Sequence, residues 1–340
     1  MKFNFYKTNL NLNNKSILVT GGTGSFGQAF TKKVLSLYKP KRLIIFSRDE
    51  HKQNEMAIEL KQFSKCLRFF IGDVRDKERL VMATRNVDFI IHAAALKHVP
   101  SAEYNPFECI RTNIFGAENI IHAAISSNVK KTIALSTDKA ASPINIYGAS
   151  KLAADKIFTA GNHLAANMKS RFSVVRYGNV IGSRGSIYWI IKDAIDKKLK
   201  KIPITDKRMT RFWITLDQGV EFVLSSLDLM SGGEIYVPKI PSMKITDFIN
   251  SFCPDKKLYE IGIRPGEKLH ETMITKDDAR NTYDCNDRYL IEPTALGWDE
   301  KRIKKKKIQG KKVLEDFEYT SNLNKKWLKK GELISLQKFF

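Results

Sequence analysis

Short runs of apolar and β-branched residues recur through the first half of the chain, at Ser16–Thr20, Arg42–Ser47, Leu67–Gly72, Val87–Ala95, Lys131–Ser136 and Phe172–Tyr177. Between them, Phe26–Tyr38, Glu50–Phe63, Asn105–Ser127 and Tyr147–Met168 have the length and composition of helices, and Asn105-Pro106 is a suitable helix start. Strands without polar alternation, separated by helices, predict an α/β fold: a doubly wound parallel sheet with crossover helices. Residues 1–178 form one such domain in this reading. Beyond Gly178 the rhythm breaks into a GlySerArgGly turn, a helix over Ile187–Lys198, a loop, a helix over Asp217–Met230 and a strand over Gly233–Pro238. Residues 179–340 are expected to form a smaller α/β substrate lobe, partly interleaved with the first domain, followed by a basic C-terminal segment.

The chain has 340 residues, of which 43% are apolar and 10% aromatic, as in a soluble globular protein. Its longest apolar stretches fall far short of the roughly 20 residues that span a bilayer. The N-terminal segment has no continuous apolar core of the kind a secretory signal carries, so a cytoplasmic location is expected. Cys66, Cys109, Cys253 and Cys285 are widely separated, without a CxxC pair or a histidine at ligand spacing. Reduced thiols and no metal site follow. The net charge of +22 raises nucleic-acid binding as a rival reading, but the densest cluster, Lys301–Lys312, lacks interleaved aromatics. A solvated basic face is the simpler account.

GlyGlyThrGlySerPheGly at 21–27 directly follows the first strand and opens the first helix. Gly21, Gly24 and Gly27 have the spacing of a dinucleotide loop, in which backbone N–H groups of Thr23, Ser25 and Phe26 approach a pyrophosphate at a helix N-terminus. About twenty residues beyond Gly27, where an NAD binder offers a carboxylate to the ribose, the chain reads Ser47-Arg48, with Lys52 nearby. A guanidinium grips a 2′-phosphate that a carboxylate repels, so NADP is the expected cofactor. Asp73-Val74 faces the adenine edge or caps a turn. Ala93, Ala94 and Ala95 leave room for the cofactor or serve close packing.

Tyr147 and Lys151 lie one helical turn apart, an arrangement in which an ammonium beneath a phenol favours its ionised form. Asp138-Lys139 precedes them at the end of the fifth strand. Two further proton carriers are more than an alcohol dehydrogenase needs and point to elimination of water.

With the glycine loop, these residues resemble the extended short-chain dehydrogenase/reductase superfamily, a Rossmann-fold group, in its sugar-nucleotide branch. Within that branch the chain is similar to the inverting UDP-N-acetylglucosamine 4,6-dehydratases of pseudaminic acid biosynthesis. The matching stretches include HisAlaAlaAlaLeuLysHisValPro, SerThrAspLysAlaAlaSerProIleAsnIleTyrGlyAlaSerLys, ArgTyrGlyAsnValIleGlySerArgGlySer and ArgProGlyGluLysLeuHisGlu. A related retaining group tends to have methionine in place of Tyr147.

The resemblance implies internal hydride transfer from sugar C4 to NADP and on to C6. Tyr147, supported by Lys151, receives the C4 hydroxyl proton, Lys139 removes the C5 proton, and Asp138 helps the C6 hydroxyl leave. Lys139 must be neutral for this, so its pKa is expected to be depressed. The same resemblance places Val180 at the cofactor, and Lys97, Asn179, Arg184, Gly185, Ser186, Ile187, Arg264 and Glu267 at UDP-N-acetylglucosamine. Arg208 and Arg211 are either part of that site or surface charge. A homo-oligomer, dimer or hexamer, is implied as well. A UDP-sugar 4-epimerase, a retaining dehydratase and an NADP-sensing or nucleic-acid-binding protein are the alternative readings.

Overall fold

A computed structural model describes residues 5–165, 168–183, 185–293 and 309–333. Six parallel strands organise it: β1 (Ser16–Thr20), β2 (Arg42–Ser47), β3 (Leu67–Ile71), β4 (Phe89–His92), β5 (Lys131–Thr137) and β6 (Arg171–Tyr177). They lie in the spatial order β3-β2-β1-β4-β5-β6. The order reverses between β1 and β4, which pair with Ile17 opposite Phe89. Every residue of β1 and β4 is buried, because helices cover both faces of the sheet. The apolar run that starts at Val87 yields only this four-residue strand, and Ala93–Ala95 continue it as irregular backbone.

The sheet extends past β6 with segments from the second half of the chain. Ile235–Pro238 adds in parallel to β6, Arg288–Ile291 and Thr282–Asp284 follow antiparallel, and Lys311–Lys312 forms the far edge. The other members of the expected lysine cluster, residues 301–308, lie outside the described residues.

The connecting helices are α1 (Ser25–Leu37), α2 (Glu50–Glu59), α3 (Lys77–Ala83), α4 (Val99–Tyr104), α5 (Pro106–Ile110), α6 (Gly116–Ser126) and α7 (Ile146–Leu164). The single helix expected over Asn105–Ser127 is interrupted by a π turn at Arg111–Phe115. There the Asn113 amide exchanges hydrogen bonds with both backbone groups of Leu96 and donates to Ser150 Oγ at 2.9 Å. Tertiary hydrogen bonds thus override a uniform helical repeat.

A second core lies under the small lobe. Asn179–Ile181, Thr210–Thr215 and Ser242–Lys244 form a three-stranded sheet, and the Trp213 and Phe248 rings stack at 4.0 Å. Ile181, Ile191, Ile202 and Met243 complete this cluster. Among the described residues no helix is long and apolar enough to cross a membrane.

Candidate active site

Where the parallel strands end, a cleft of about 860 Å³ opens between the glycine loop and the small lobe. This is the place where doubly wound folds collect their ligands. Every residue expected to hold the cofactor lines it, as do Asp138, Lys139, Lys97, Asn179, Gly185, Ser186, Arg264 and Glu267. Ile187 does not: it begins a helix and packs against the small-lobe core. Arg184 lies outside the described residues.

Gly21 has φ +62°, and a Cβ there would stand 2.8 Å from the Ala94 backbone nitrogen. A Cβ on Gly27 would meet Gly22 backbone at 2.5 Å. The loop can therefore be this tight only with glycine at both positions. Gly24 caps α1 without a side-chain bond, and no acidic residue occupies the first turn. The N–H groups and positive dipole end remain available to an anion, so the loop fits a dinucleotide pyrophosphate.

At the adenosine end, Arg48 reaches Asp73 at 3.5 Å with its side chain 64% exposed. Asp73 also accepts from the Arg75 backbone and guanidinium, which hold its carboxyl below the usual range despite partial burial. It is a turn cap and a cleft residue at once. Lys52 is committed to Asp49, the N-cap of α2. Arg48 therefore has more freedom than Lys52 to meet a 2′-phosphate.

The chemical end is built by the contact of α7 with the 3₁₀ turn Asp138–Ala140. Asn145 caps α7, accepting from Gly148 N at 2.7 Å, and its amide donates to the Gly266 carbonyl at 2.7 Å. A Cβ on Gly148 would lie 2.3 Å from the Lys139 carbonyl oxygen. Glycine between Tyr147 and Lys151 is what lets the helix press Tyr147 against Asp138-Lys139.

Tyr147 is buried, which pushes its hydroxyl up to about 12. The charge that most opposes this shift is the Lys139 ammonium, and the phenol also hydrogen-bonds Thr137. The expected partner Lys151 instead donates to the Leu135 carbonyl at 2.8 Å, with Asp155 supporting its charge against burial. The side chain nearest in sequence spacing is thus not the one that acts most strongly on the phenol.

Lys139 also departs from expectation. Burial pulls its pKa down, but Asp138 Oδ1 at 3.1 Å and Glu271 Oε1 at 2.9 Å pull it up further, and the net shift is upward. Lys139 is an ammonium in the unliganded protein, not the neutral amine the sequence predicts. Asp138, 1% exposed, is shifted upward by burial, whereas Lys139 and Arg211 shift Glu271 downward against the same desolvation. Two carboxyl groups with the Lys139 ammonium between them line the floor of the cleft.

Arg211 is no surface charge. It is 8% exposed and stands 3.5 Å from Glu271, while Arg208 is exposed and paired with Asp206. Glu271 and Thr137 escaped the sequence reading. Glu271 closes the ArgProGlyGluLysLeuHisGlu stretch, and only the fold brings it to Asp138-Lys139. No group of residues that could hold a metal ion occurs among the described residues.

Residues 17–293 match the polysaccharide biosynthesis protein family. Relatives include a protein of Campylobacter jejuni subsp. jejuni described as UDP-N-acetylglucosamine 4,6-dehydratase (inverting), 55% identical over 95% of this chain and 97% of its own. A Rickettsia akari protein described as UDP-glucose 4-epimerase is 40% identical over 82% of each chain. Among solved structures, Pen from Bacillus thuringiensis superposes with a TM-score of 0.88 at 33% identity, over 97% of this chain and 100% of that one. DesIV, a dTDP-glucose 4,6-dehydratase from Streptomyces venezuelae, shares the fold with a TM-score of 0.64 at 21% identity, over 75% of this chain and 86% of that one. A glycine loop at the sheet's switch point, a buried tyrosine and an acid–ammonium–acid floor thus accompany likeness over nearly the whole chain, and the protein belongs to the polysaccharide biosynthesis protein family, in the group that holds the Campylobacter inverting 4,6-dehydratases.

Proposed function

We propose that the protein is an NADP-dependent UDP-N-acetylglucosamine 4,6-dehydratase that inverts C5, giving UDP-2-acetamido-2,6-dideoxy-β-L-arabino-hex-4-ulose as the first step towards pseudaminic acid. The observation that carries this reading is the pair of buried Asp138 and half-buried Lys139 facing Tyr147 in the cleft. An epimerase needs the tyrosine but has no use for a second acid and base.

The glycine loop and Arg48 would hold NADP, which would supply a reversible hydride acceptor. Tyr147, as the phenolate that the Lys139 ammonium favours and burial opposes, and with Lys151 on the same helix, receives the proton of the sugar C4 hydroxyl. A ketone at C4 acidifies the C5 proton, which Lys139 removes. Asp138, whose affinity for a proton burial raises, donates to the departing C6 oxygen so that it leaves as water. Tyr147 returns a proton to C5 from the opposite face. Arg264, 3.6 Å from Glu267 at the cleft rim, is placed to bind the diphosphate.

The 40% identity to proteins described as UDP-glucose 4-epimerase favours epimerisation as the second reading. Incubation of the purified protein with UDP-N-acetylglucosamine in D₂O, followed by NMR, separates the two. A new C6 methyl group, deuterium at C5 and L-arabino configuration support the proposal. Unchanged C5 configuration identifies a retaining dehydratase, and UDP-N-acetylgalactosamine identifies an epimerase.

A further inference from the structure

The floor of the cleft holds more proton capacity than that scheme uses. Glu271 comes from the small lobe, ahead of the strand Thr272–Ile274, and is 1% exposed. Its backbone is clamped to Ser321: Glu271 N donates to Ser321 Oγ at 2.9 Å, and Ser321 N donates to the Glu271 carbonyl at 2.8 Å. Its Oε1 meets Lys139 Nζ at 2.9 Å and Arg211 Nε at 3.5 Å. Its Oε2 is buried without a hydrogen-bond partner, as is Asp138 Oδ2. A buried, ionised carboxylate with a vacant lone pair is costly unless it has a task, because desolvation penalises it.

The scheme also contains a gap. Lys139 stands between two carboxyl groups as an ammonium and cannot remove a proton until it gives one up. Building on the dehydratase reading, we propose that Glu271 is the proton acceptor for Lys139, converting it to the free amine that attacks the C5 proton.

The protons balance without any outside reagent. First the Lys139 Nζ–H bond breaks and the Glu271 Oε1–H bond forms. The amine then takes the C5 proton and becomes an ammonium again, while Asp138 gives its proton to the C6 oxygen and water departs. Asp138 is left ionised and Glu271 protonated, with Lys139 touching both. Transfer of one proton from Glu271 through Lys139 to Asp138 restores the starting state, and no oxidation state changes in these steps. Glu271 acts through Lys139 and is a positioning and proton-storing residue.

The charged and titratable groups around Glu271 are Asp138 and Lys139 from the 3₁₀ turn, Arg211 from the strand Thr210–Thr215, and Lys268 within its own segment. His270 is hydrogen-bonded to Thr210 Oγ1 at 2.8 Å, and Tyr147 faces Lys139 from α7. The Arg211 guanidinium stands 3.5 Å from Glu271, and the charge of Lys268, opposed by burial, is supported by Glu271 and Asp138. Both cations keep Glu271 acidic in the resting state, and a bound sugar that excludes water favours neutralising the Lys139–Glu271 pair.

The test compares Glu271→Gln and Glu271→Asp with the wild type, following C5 exchange in D₂O across pH together with kcat and KM. Glu271→Gln is expected to lower kcat and C5 exchange by about 100-fold or more, with KM and NADP affinity preserved. Exchange in this variant should climb with pH, since Lys139 can then lose its proton only to solvent, while the wild type stays flat through the neutral range. Glu271→Asp should recover part of the rate. Wild-type exchange and a flat profile in Glu271→Gln overturn the inference, as does parallel loss of substrate and cofactor binding in both variants. If the wild type itself shows neither C5 exchange nor a new methyl group, the dehydratase reading falls and takes this one with it.

Discussion

The Lys139 ammonium lies 2.9 Å from the Glu271 carboxylate, joining the end of β5 to a segment that follows it by more than a hundred residues. With Asp138 Oδ1 at 3.1 Å on the other side, this contact fixes the protonation of the cleft floor before any substrate enters. Lys139→Ala removes the group that pairs with both carboxyls. The variant is expected to bind NADP as the wild type does, because Lys139 belongs to the 3₁₀ turn after β5 and not to the glycine loop, yet to lose C5 exchange by about 10²- to 10⁴-fold. NMR in D₂O alongside a cofactor titration checks both halves. Normal exchange in Lys139→Ala removes the role assigned to it.

In the proposed reading, cofactor choice rests on Arg48. Its side chain is largely exposed and bound only loosely to Asp73, so it can turn to a 2′-phosphate without breaking a strong ion pair. A charge-assisted hydrogen bond contributes about 1.5–3 kcal/mol, and Arg48→Ala is therefore expected to reduce the preference for NADP over NAD by about 10- to 100-fold. Calorimetric affinities for the two cofactors give the ratio. An unchanged ratio would mean that Lys52 or the backbone does the reading.

The alternation of strands and helices through β6 was legible because the central strands are mostly apolar and buried and each crossover is long. The cofactor loop was legible for a related reason: its glycines stand where one strand ends and one helix begins. What the sequence concealed lies in contacts between distant segments. Arg211 could not be told from Arg208, although one is buried against Glu271 and the other is paired with Asp206 at the surface. Glu271 carries no local signal, since a lone carboxylate after a histidine is unremarkable until the small lobe folds over the turn at Asp138. Lys139 was read with the wrong charge because the second carboxylate beside it was unseen.

Glycines offer a graded test of how rigid the cofactor loop must be. Gly21→Ala forces φ +62° on a residue with a Cβ and drives that atom to 2.8 Å from Ala94 N. A cost of about 1–3 kcal/mol is expected, together with weakened NADP binding. Gly219 makes the opposite case: it sits inside the helix Leu216–Leu229, and a Cβ there meets nothing within 4 Å. Gly219→Ala is expected to stabilise by about 0.5–1 kcal/mol through helix propensity. Urea denaturation of both variants measures the pair, and equal effects would argue against loop strain as the cause.

Acid sensitivity follows from His92 at the end of β4. The ring is 2% exposed, its Nδ1 lies 2.8 Å from Thr20 Oγ1, and burial, reinforced by the Lys151 charge, lowers its pKa to about 3 from 6.5. The folded state therefore refuses a proton that the unfolded chain accepts. For a group whose pKa is depressed on folding, the contribution to stability is complete above the unfolded pKa and is lost as pH falls towards the folded one. The window runs from 6.5 down to about 3. Between about pH 7 and about pH 5, this single residue should cost the protein about 2 kcal/mol. His92→Gln keeps a group able to bond Thr20 but cannot take up the proton, so its unfolding free energy should vary less over that interval. Denaturation curves at both pH values test this. If wild type and variant lose the same stability on acidification, the sensitivity originates elsewhere, with the buried Asp155–Arg176 pair at 3.3 Å the next group to examine.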